Sequence, residues 1–399
     1  MLEGVNVALG VSGSIAAVKV VELAHELRRH GAAVRGVMTP AAQGIIHPWA
    51  LEFATERDVV TEITGRVEHV ELCGREGWAD VLLLAPATAN TVGKVAGAVD
   101  DTPVTTCATT ALGADVPVVC APAMHEPMYD HPGVLDALAQ LEEWGVAFVD
   151  PRLEEGKAKI ATEAAIVTGV ARAVSEGGLD GRHVVVTAGA TAEPLDPVRV
   201  LTNRSSGKTG RALARACHVQ GADVTLVHGT GSSRPDVDTQ YADTEWVESG
   251  AEMLAATRDA CDDADALLSA AAISDFTVDP SAEKLRSGEP RTLDLRPTPK
   301  LIDRVRDDHP ELPIVGFKAE TSGDDEAMAR EARRIMSRAG LAFVVANDAS
   351  VMGGEETRAL VVSGESSDTF VGSKLALGER VTDELVRVLT DGLGNAEGR

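Results

Sequence analysis

Short runs that are apolar at nearly every position recur along the chain. Stretches with apolar residues three and four apart separate them. Runs of the first kind fit strands buried on both faces, and the intervening stretches fit the helices that cover them. In the first half the expected strands are residues 5–11, 34–38, 80–88 (DVLLLAPAT), 116–124 (VPVVCAPAM) and a short VAFVD. Helices are expected from the glycine turn at 10–14 to Arg29, from Ala89, and around 133–144. A polar, glycine-rich segment, SEGGLDGR, then interrupts the pattern, which restarts with strands at 183–188, 223–230, 264–272, 313–321 and 341–348. Helices follow Gly210 and cover 251–261 and 324–338, before a hairpin and a last amphipathic helix at 374–389. The pattern predicts an α/β protein with two doubly wound, Rossmann-like domains at 1–175 and 183–399, joined by a linker at 176–182.

Doubly wound sheets bind ligands at the carboxyl ends of their strands, and polar clusters fall there. GVSGS (10–14) follows the first strand: Gly10 and Gly13 permit a tight turn, while Ser12 and Ser14 offer hydroxyls beside a helix start. It lacks the dinucleotide G-x-G-x-x-G spacing, so a mononucleotide such as FMN suits it better. APATAN, with Thr88 and Asn90, and PAMHEPMY (122–129) end two further strands. In the second half the run DPVRVLTNRSSGKTG (196–210) lies between a strand and a helix. Its Gly207-Lys208-Thr209 invites a P-loop reading, which fails because the first glycine would fall on Thr202.

Composition narrows the partners. The 399 residues are 44% apolar, only 3% aromatic, and carry a formal charge of −25, which argues against nucleic acid or an anionic membrane as a general partner. The acidity leaves two readings, an ordinary acidic protein or one adapted to a salt-rich cytoplasm. The five cysteines are dispersed without a C-x-x-C pair, which fits a reducing cytoplasm better than a disulfide framework or a structural zinc site. No signal peptide is evident, and no apolar stretch reaches the roughly 18 residues a membrane span needs.

GVSGSIAAVK, the HVEL…WADVLLLAPATAN block and PAMHEPMY, in this order, resemble the FMN-dependent cysteine decarboxylases, and the resemblance covers nearly all of 1–175. It implies an FMN-dependent decarboxylation of phosphopantothenoylcysteine to 4′-phosphopantetheine, with FMN held by Gly10, Ser12, Gly13, Ser14, Thr39, Thr88 and Asn90 and with His69 as base. Read alone, His69 in VEHVEL is a partly exposed strand histidine, and both readings stand. Two positions depart from the family pattern. His125 replaces the asparagine of the substrate motif P-x-M-N-x-x-M, and the flap stretch LEEGKAKIA (153–161) lacks the cysteine of bacterial members. Lys157 or Lys159 either closes over the substrate or is simply solvated.

From Arg182 onward the chain resembles the phosphopantothenate–cysteine ligases, through TAGATAEPLDPVRVLTNRSSGKTG, SAAAISDF, Glu283-Lys284, Pro299-Lys300, GFKAET and Ala346-Asn347-Asp348. The resemblance implies a CTP-dependent ligation of cysteine to 4′-phosphopantothenate through an acyl-cytidylate, with Mg²⁺ on the phosphates. Asn203 would stabilise developing charge and Lys284 would serve the nucleotide. Ala271, Asp275, Pro299, Lys300, Phe317, Arg334 and Arg338 would bind CTP, and Arg199 lies in a region associated with dimer contact. Without the motif, Asn203 reads as a turn residue and the two arginines as a solvated helix face. The whole chain then reads as a cytoplasmic homo-oligomer acting on small molecules. Other readings are a decarboxylase of a different thiol, or a regulatory protein that binds flavin without turnover. Stability measured against KCl concentration tests the salt reading: stability should fall in dilute buffer, and full stability without KCl contradicts it.

Overall fold

The computed structural model describes residues 1–154, 157–288, 290–320, 324–348 and 356–396. The chain forms two compact units, Met1–Glu176 and Gly177–Arg399. No helix among the described residues is long and apolar enough to cross a membrane.

The first unit is built on five strands, β1 (Asn6–Val11), β2 (Ala33–Met38), β3 (Val81–Ala87), β4 (Val118–Pro122) and β5 (Ala147–Phe148). They lie in the order 2-1-3-4-5, all parallel. Helices Val20–Arg29, Pro48–Thr55 and Glu163–Ala173 pack as one group, and Glu68–Cys73, Ala89–Ala96, Pro103–Gly113 and Pro132–Glu143 as another. The strand order reverses between β1 and β3, so the carboxyl ends of those two strands open into a crevice.

The second unit carries β6 (His183–Ala188), β7 (Asp223–Gly229), β8 (Asp243–Val247), β9 (Ala266–Ser269), β10 (Ile314–Glu320) and β11 (Phe343–Asp348). The hairpin β12 (Glu356–Ser363) and β13 (Ser366–Ser373) follows. Their order is 8-7-6-9-10-11-12-13, parallel as far as β11 and antiparallel beyond it. Val184 and Val186 belong to one buried cluster and Val185 to another, so β6 is covered on both faces. That double burial explains why its sequence is apolar without alternation. Here the switch point lies between β6 and β9.

Several elements escape the apolar pattern. β8 reads DTEWV because it is an edge strand with alternate residues exposed. Helices Pro40–Gln43, Pro48–Thr55 and Leu301–Asp308 are short, and Pro40–Gln43, Pro48–Thr55 and the longer Pro103–Gly113 begin on proline, which suits a first helical position. The expected first helix is two pieces, a 3₁₀ turn at Ile15–Lys19 and an α-helix at Val20–Arg29. The polar segment between the units contains a fully buried residue, Leu179, packed in the core of the second unit, and its N–H donates to the Gln220 carbonyl. The free connection is therefore shorter than its composition suggests.

Candidate functional sites

In the first unit, three N-capped helix starts stand at strand carboxyl ends. Ser14 Oγ accepts from Ala16 N at 3.3 Å, Thr39 Oγ1 from Ala42 N at 3.1 Å, and Thr88 Oγ1 from Thr91 N at 3.2 Å. Each hydroxyl spends a lone pair on its cap; those of Ser14 and Thr39 keep a hydrogen for an incoming acceptor, whereas Thr88 Oγ1 also lies 3.0 Å from Thr91 Oγ1, where either oxygen can donate. Gly13 lies so close to helix Pro40–Gln43 that a Cβ there would sit 2.5 Å from Ala41 Cβ. Gly10 is confined in the same way by Leu84 and Val104. Asn90 is exposed beside this cradle.

Ser12 does something different from the expectation. It is buried, and its hydroxyl donates to the Pro86 carbonyl at 2.6 Å while accepting from Thr88 N at 3.1 Å. The side chain therefore ties the end of β1 to the end of β3, and its proton is committed inside the protein. Ser12 shapes the cradle, and partly exposed Ser14 and Thr88 stand with the more buried Thr39 at its helix starts.

His69 is not on a strand. It lies in the helix Glu68–Cys73, which packs chiefly on Pro103–Gly113. The Thr64 hydroxyl and backbone N–H bond to the Glu68 carboxylate and hold its pKa down at about 2, fixing the first turn. Six residues are too few for periodicity to separate helix from strand. His69 Nδ1 is buried and has no hydrogen-bond partner, a state that calls for a ligand or partner atom. The residues described here do not bring His69 and the cradle into one hydrogen-bonded group.

The substrate motif leaves the end of β4 beside the cradle, since Ala123 N donates to the Ala87 carbonyl at 2.9 Å. Met124–His125 then pairs antiparallel with Lys157–Lys159, His125 opposite Lys157 in register. The flap strand thus lies alongside the motif it was expected to cover. Residues 155 and 156 and the side chain of Lys157 fall outside the described residues.

In the second unit the signature run enters through a small hairpin, Ala192–Pro194 with Val200–Thr202. Asp196 anchors it. Burial raises the pKa of this carboxyl, but the N–H groups of Leu285, Val198 and Arg199, with the Arg199 guanidinium, outweigh burial and hold it at about 2. Asn203 Nδ2 donates to the Ala272 carbonyl at 2.6 Å and its Oδ1 accepts from Ser205 N at 3.0 Å. The amide expected to meet substrate charge is occupied by the backbone here, as a turn asparagine would be.

Two adjoining cavities lie at the carboxyl ends of β9 and β10, the second of them against this loop. One, of about 370 Å³, is lined by Ala271, Asp275, Pro299, Lys300, Phe317, Arg334 and Arg338 among others. The second, of about 320 Å³, lies against Ser205–Gly210 and includes Lys208, Lys318, Asn347, Thr357 and Lys374. Both include Ala271, Ile273, Asp275, Phe317 and Lys318. Lys284 lines neither; it is exposed in the segment after Glu283.

The charges differ from the expectation. Arg334 is bidentate to Glu331 at 2.7 and 2.8 Å, Arg338 pairs with Asp303 at 3.0 Å, and Lys300 pairs with Asp275. The first cavity is consequently near charge balance. Among the described residues the second is lined by three lysines and one carboxylate, Asp275. Lys374 is only 9% exposed. Lys318, inside the quoted GFKAET, and Lys374, at the start of the last helix, were given no role from sequence. A lysine interrupting a buried strand was the available signal for the first. Asn347 Oδ1, also in this cavity, is buried without a partner.

The fold defines two doubly wound α/β units, each with a ligand crevice at its own switch point. Residues 1–175 match the Flavoprotein family, and residues 179–389 match the DFP family, described as the DNA/pantothenate metabolism flavoprotein C-terminal domain. The chain is 47% identical to the coenzyme A biosynthesis bifunctional protein CoaBC of Thermococcus kodakarensis, over 97% of this chain and 96% of that one. To its namesake from Methanocaldococcus jannaschii it is 33% identical, over 98% and 95%. A solved PPC decarboxylase mutant complexed with pantothenoylaminoethenethiol is 31% identical and aligns with 42% of this chain and 96% of its own, at a TM-score of 0.37. The chain belongs to the CoaBC family of bifunctional coenzyme A biosynthesis enzymes, with a decarboxylase unit followed by a ligase unit.

The low pKa of Asp196 fixes a sign. A carboxyl depressed in the folded state stabilises it above its unfolded pKa of about 4 and loses that contribution as pH falls toward 2. Asp196→Asn should therefore flatten the dependence of stability on pH between about 4 and 2. Urea unfolding at several pH values checks it; an unchanged slope would contradict the anchoring role.

Proposed function

We propose that the second unit activates the carboxylate of 4′-phosphopantothenate with CTP, releasing pyrophosphate, and that cysteine's amine then displaces CMP from the acyl-cytidylate. The first unit removes the cysteine carboxylate of the product as CO₂ and leaves 4′-phosphopantetheine. One observation carries the ligase reading. Seven of the eight nucleotide residues expected from sequence line one cavity, and that cavity adjoins another beneath the glycine-bearing turn.

The charge distribution suggests how the nucleotide divides between them. The nearly balanced cavity takes base and ribose, with Asp275 and Lys300 as polar partners. The triphosphate fits the lysine-rich cavity, where the backbone around Gly207–Gly210 opens the helix Lys208–Val219 and favours anions. Mg²⁺ would ride on phosphate oxygens, keeping much of its water. No group of three or more His, Cys, Asp or Glu among the described residues forms a metal site. Asn203 must exchange its bond to Ala272 for the developing oxyanion, and Lys284 must move in with its segment, so both roles belong to a liganded state.

For the first unit, the capping hydroxyls of Ser14, Thr39 and Thr88 and the confined glycines fit a flavin phosphate at the switch point. FMN bound there supplies reversible two-electron chemistry, which lets the overall decarboxylation remain redox-neutral. His69 takes the thiol proton, and its unpartnered Nδ1 is the atom whose environment a ligand completes. His125 holds the substrate carboxylate in place of asparagine.

Copies of the chain associate in this reading, because Trp49 and Phe53 are 74% and 75% exposed one helical turn apart. The free, buried cysteines and the acidic surface suit a reducing, salt-rich cytoplasm. His69→Asn should lower CO₂ release at least about a hundredfold and spare pyrophosphate release. Asn203→Asp should do the reverse when phosphopantothenoylcysteine is supplied. Loss of both activities by either variant, still folded, would contradict the assignment of the two reactions to separate sites.

A further inference from the structure

Beneath the signature turn lies a cation that the ligase reading has not used. Arg211, in the first turn of Lys208–Val219, is partly buried, and its Nη1 donates to the Ser206 carbonyl at 3.0 Å and meets His228 Nε2 at 2.8 Å. His228, at 1% exposure on β7, bonds through Nδ1 to the Gly229 carbonyl at 2.7 Å. A carbonyl only accepts, so Nδ1 carries the hydrogen, and Nε2 of the neutral ring is the acceptor for Arg211. Burial agrees with that tautomer, pushing the His228 pKa down to about 4. The Trp246 ring covers the imidazole at 4.7 Å, and Arg234 in turn stacks over Trp246 at 4.3 Å.

The arrangement shapes the turn. Gly207 has φ +71°, and a Cβ there would stand 2.7 Å from His228 Nε2 and 2.8 Å from Arg211 Nη1. Arginine, histidine and glycine therefore interlock, and the Ser206 carbonyl is turned inward to the guanidinium. Among the described residues Arg211 has no carboxylate partner; its bonded acceptors are a carbonyl and a neutral ring. Burying an uncompensated charge is costly. Its burial lowers the Arg211 pKa, the direction expected of a cation without a counter-ion.

We propose that Arg211 and His228 form a buried brace that fixes the Ser206–Gly207 turn for an anion and leaves the guanidinium charge to be balanced by the phosphates of the bound nucleotide. Both are positioning residues, acting through the turn. The inference rests on the nucleotide reading of the second unit. It adds a source of positive charge beside the cavity lysines and explains why neutral acceptors, not an acid, hold this arginine.

Calorimetric titration of the full chain with Mg-CTP and with pyrophosphate tests it, together with steady-state KM for CTP and cysteine and a thermal melt. Arg211→Met should weaken CTP and pyrophosphate about tenfold, leaving KM for cysteine and the melting temperature near wild type. His228→Leu should behave likewise. His228→Gln can accept from Arg211 and donate to Gly229, and should restore binding; Arg211→Lys should retain most of it, and covers the case that Arg211→Met fails to fold. Wild-type CTP and pyrophosphate affinity in Arg211→Met, equal losses for CTP and cysteine, or no rescue by His228→Gln would overturn the brace alone. Failure of the wild-type chain to bind any nucleotide would overturn the nucleotide reading and the brace with it.

Discussion

Both units depend on the same physical constraint. A parallel sheet whose helices lie on both faces must reverse its strand order somewhere, and there two helix starts diverge and leave a crevice. Backbone N–H groups at those helix starts have no intrahelical partners. In the first unit the crevice opens between β1 and β3, and side-chain caps from Ser14, Thr39 and Thr88 satisfy part of that need. In the second it opens between β6 and β9, and Gly207 starts its helix without a side-chain cap. An acceptor-rich ligand is the natural complement to both.

The two crevices are held open by different devices. The first relies on Ser12, which joins two strand ends through one hydroxyl. The second relies on charge: Asp196 secures the entering hairpin to Leu285, and Arg211 with His228 sits under the turn. Accordingly, flavin-type chemistry is assigned to a cradle of neutral hydroxyls, and triphosphate chemistry to a cavity with a surplus of lysines. In the proposed function, one fold principle would serve two kinds of phosphate ligand on a single chain.

Legibility in the sequence followed the strength of the local signal. Doubly buried strands such as β6 and β3 were readable because nothing but an apolar run can fill them. That Ala271, Asp275 and Phe317 line one cavity was readable because each comes late in or after a buried run, at the place where the fold puts ligands. His69 was misplaced on a strand because a six-residue helix fixed by Thr64 and Glu68 leaves no periodic trace. The internal commitment of Ser12, the Asp303 partner of Arg338, and the placing of Lys374 in the cavity that Gly207–Gly210 line depend on tertiary contacts, whereas Glu331 lies one turn before Arg334 on the same helix. Residues far apart in sequence supply several of those contacts, so spacing could not reveal them. Leu179 shows the same limit in reverse, as a polar segment concealed one core residue.

Each unit has a switch point of its own, and in the proposed function each carries its own phosphate-ligand site there. Amide hydrogen exchange of the full chain, with FMN alone and with Mg-CTP alone, measures this directly. FMN should slow exchange at residues 10–16, 39–42 and 88–91 and leave 203–210 unchanged, and Mg-CTP should slow exchange at 203–210 and 269–275 and leave the first unit unchanged. Protection of the same segments by both ligands, or protection away from both switch points, would contradict it.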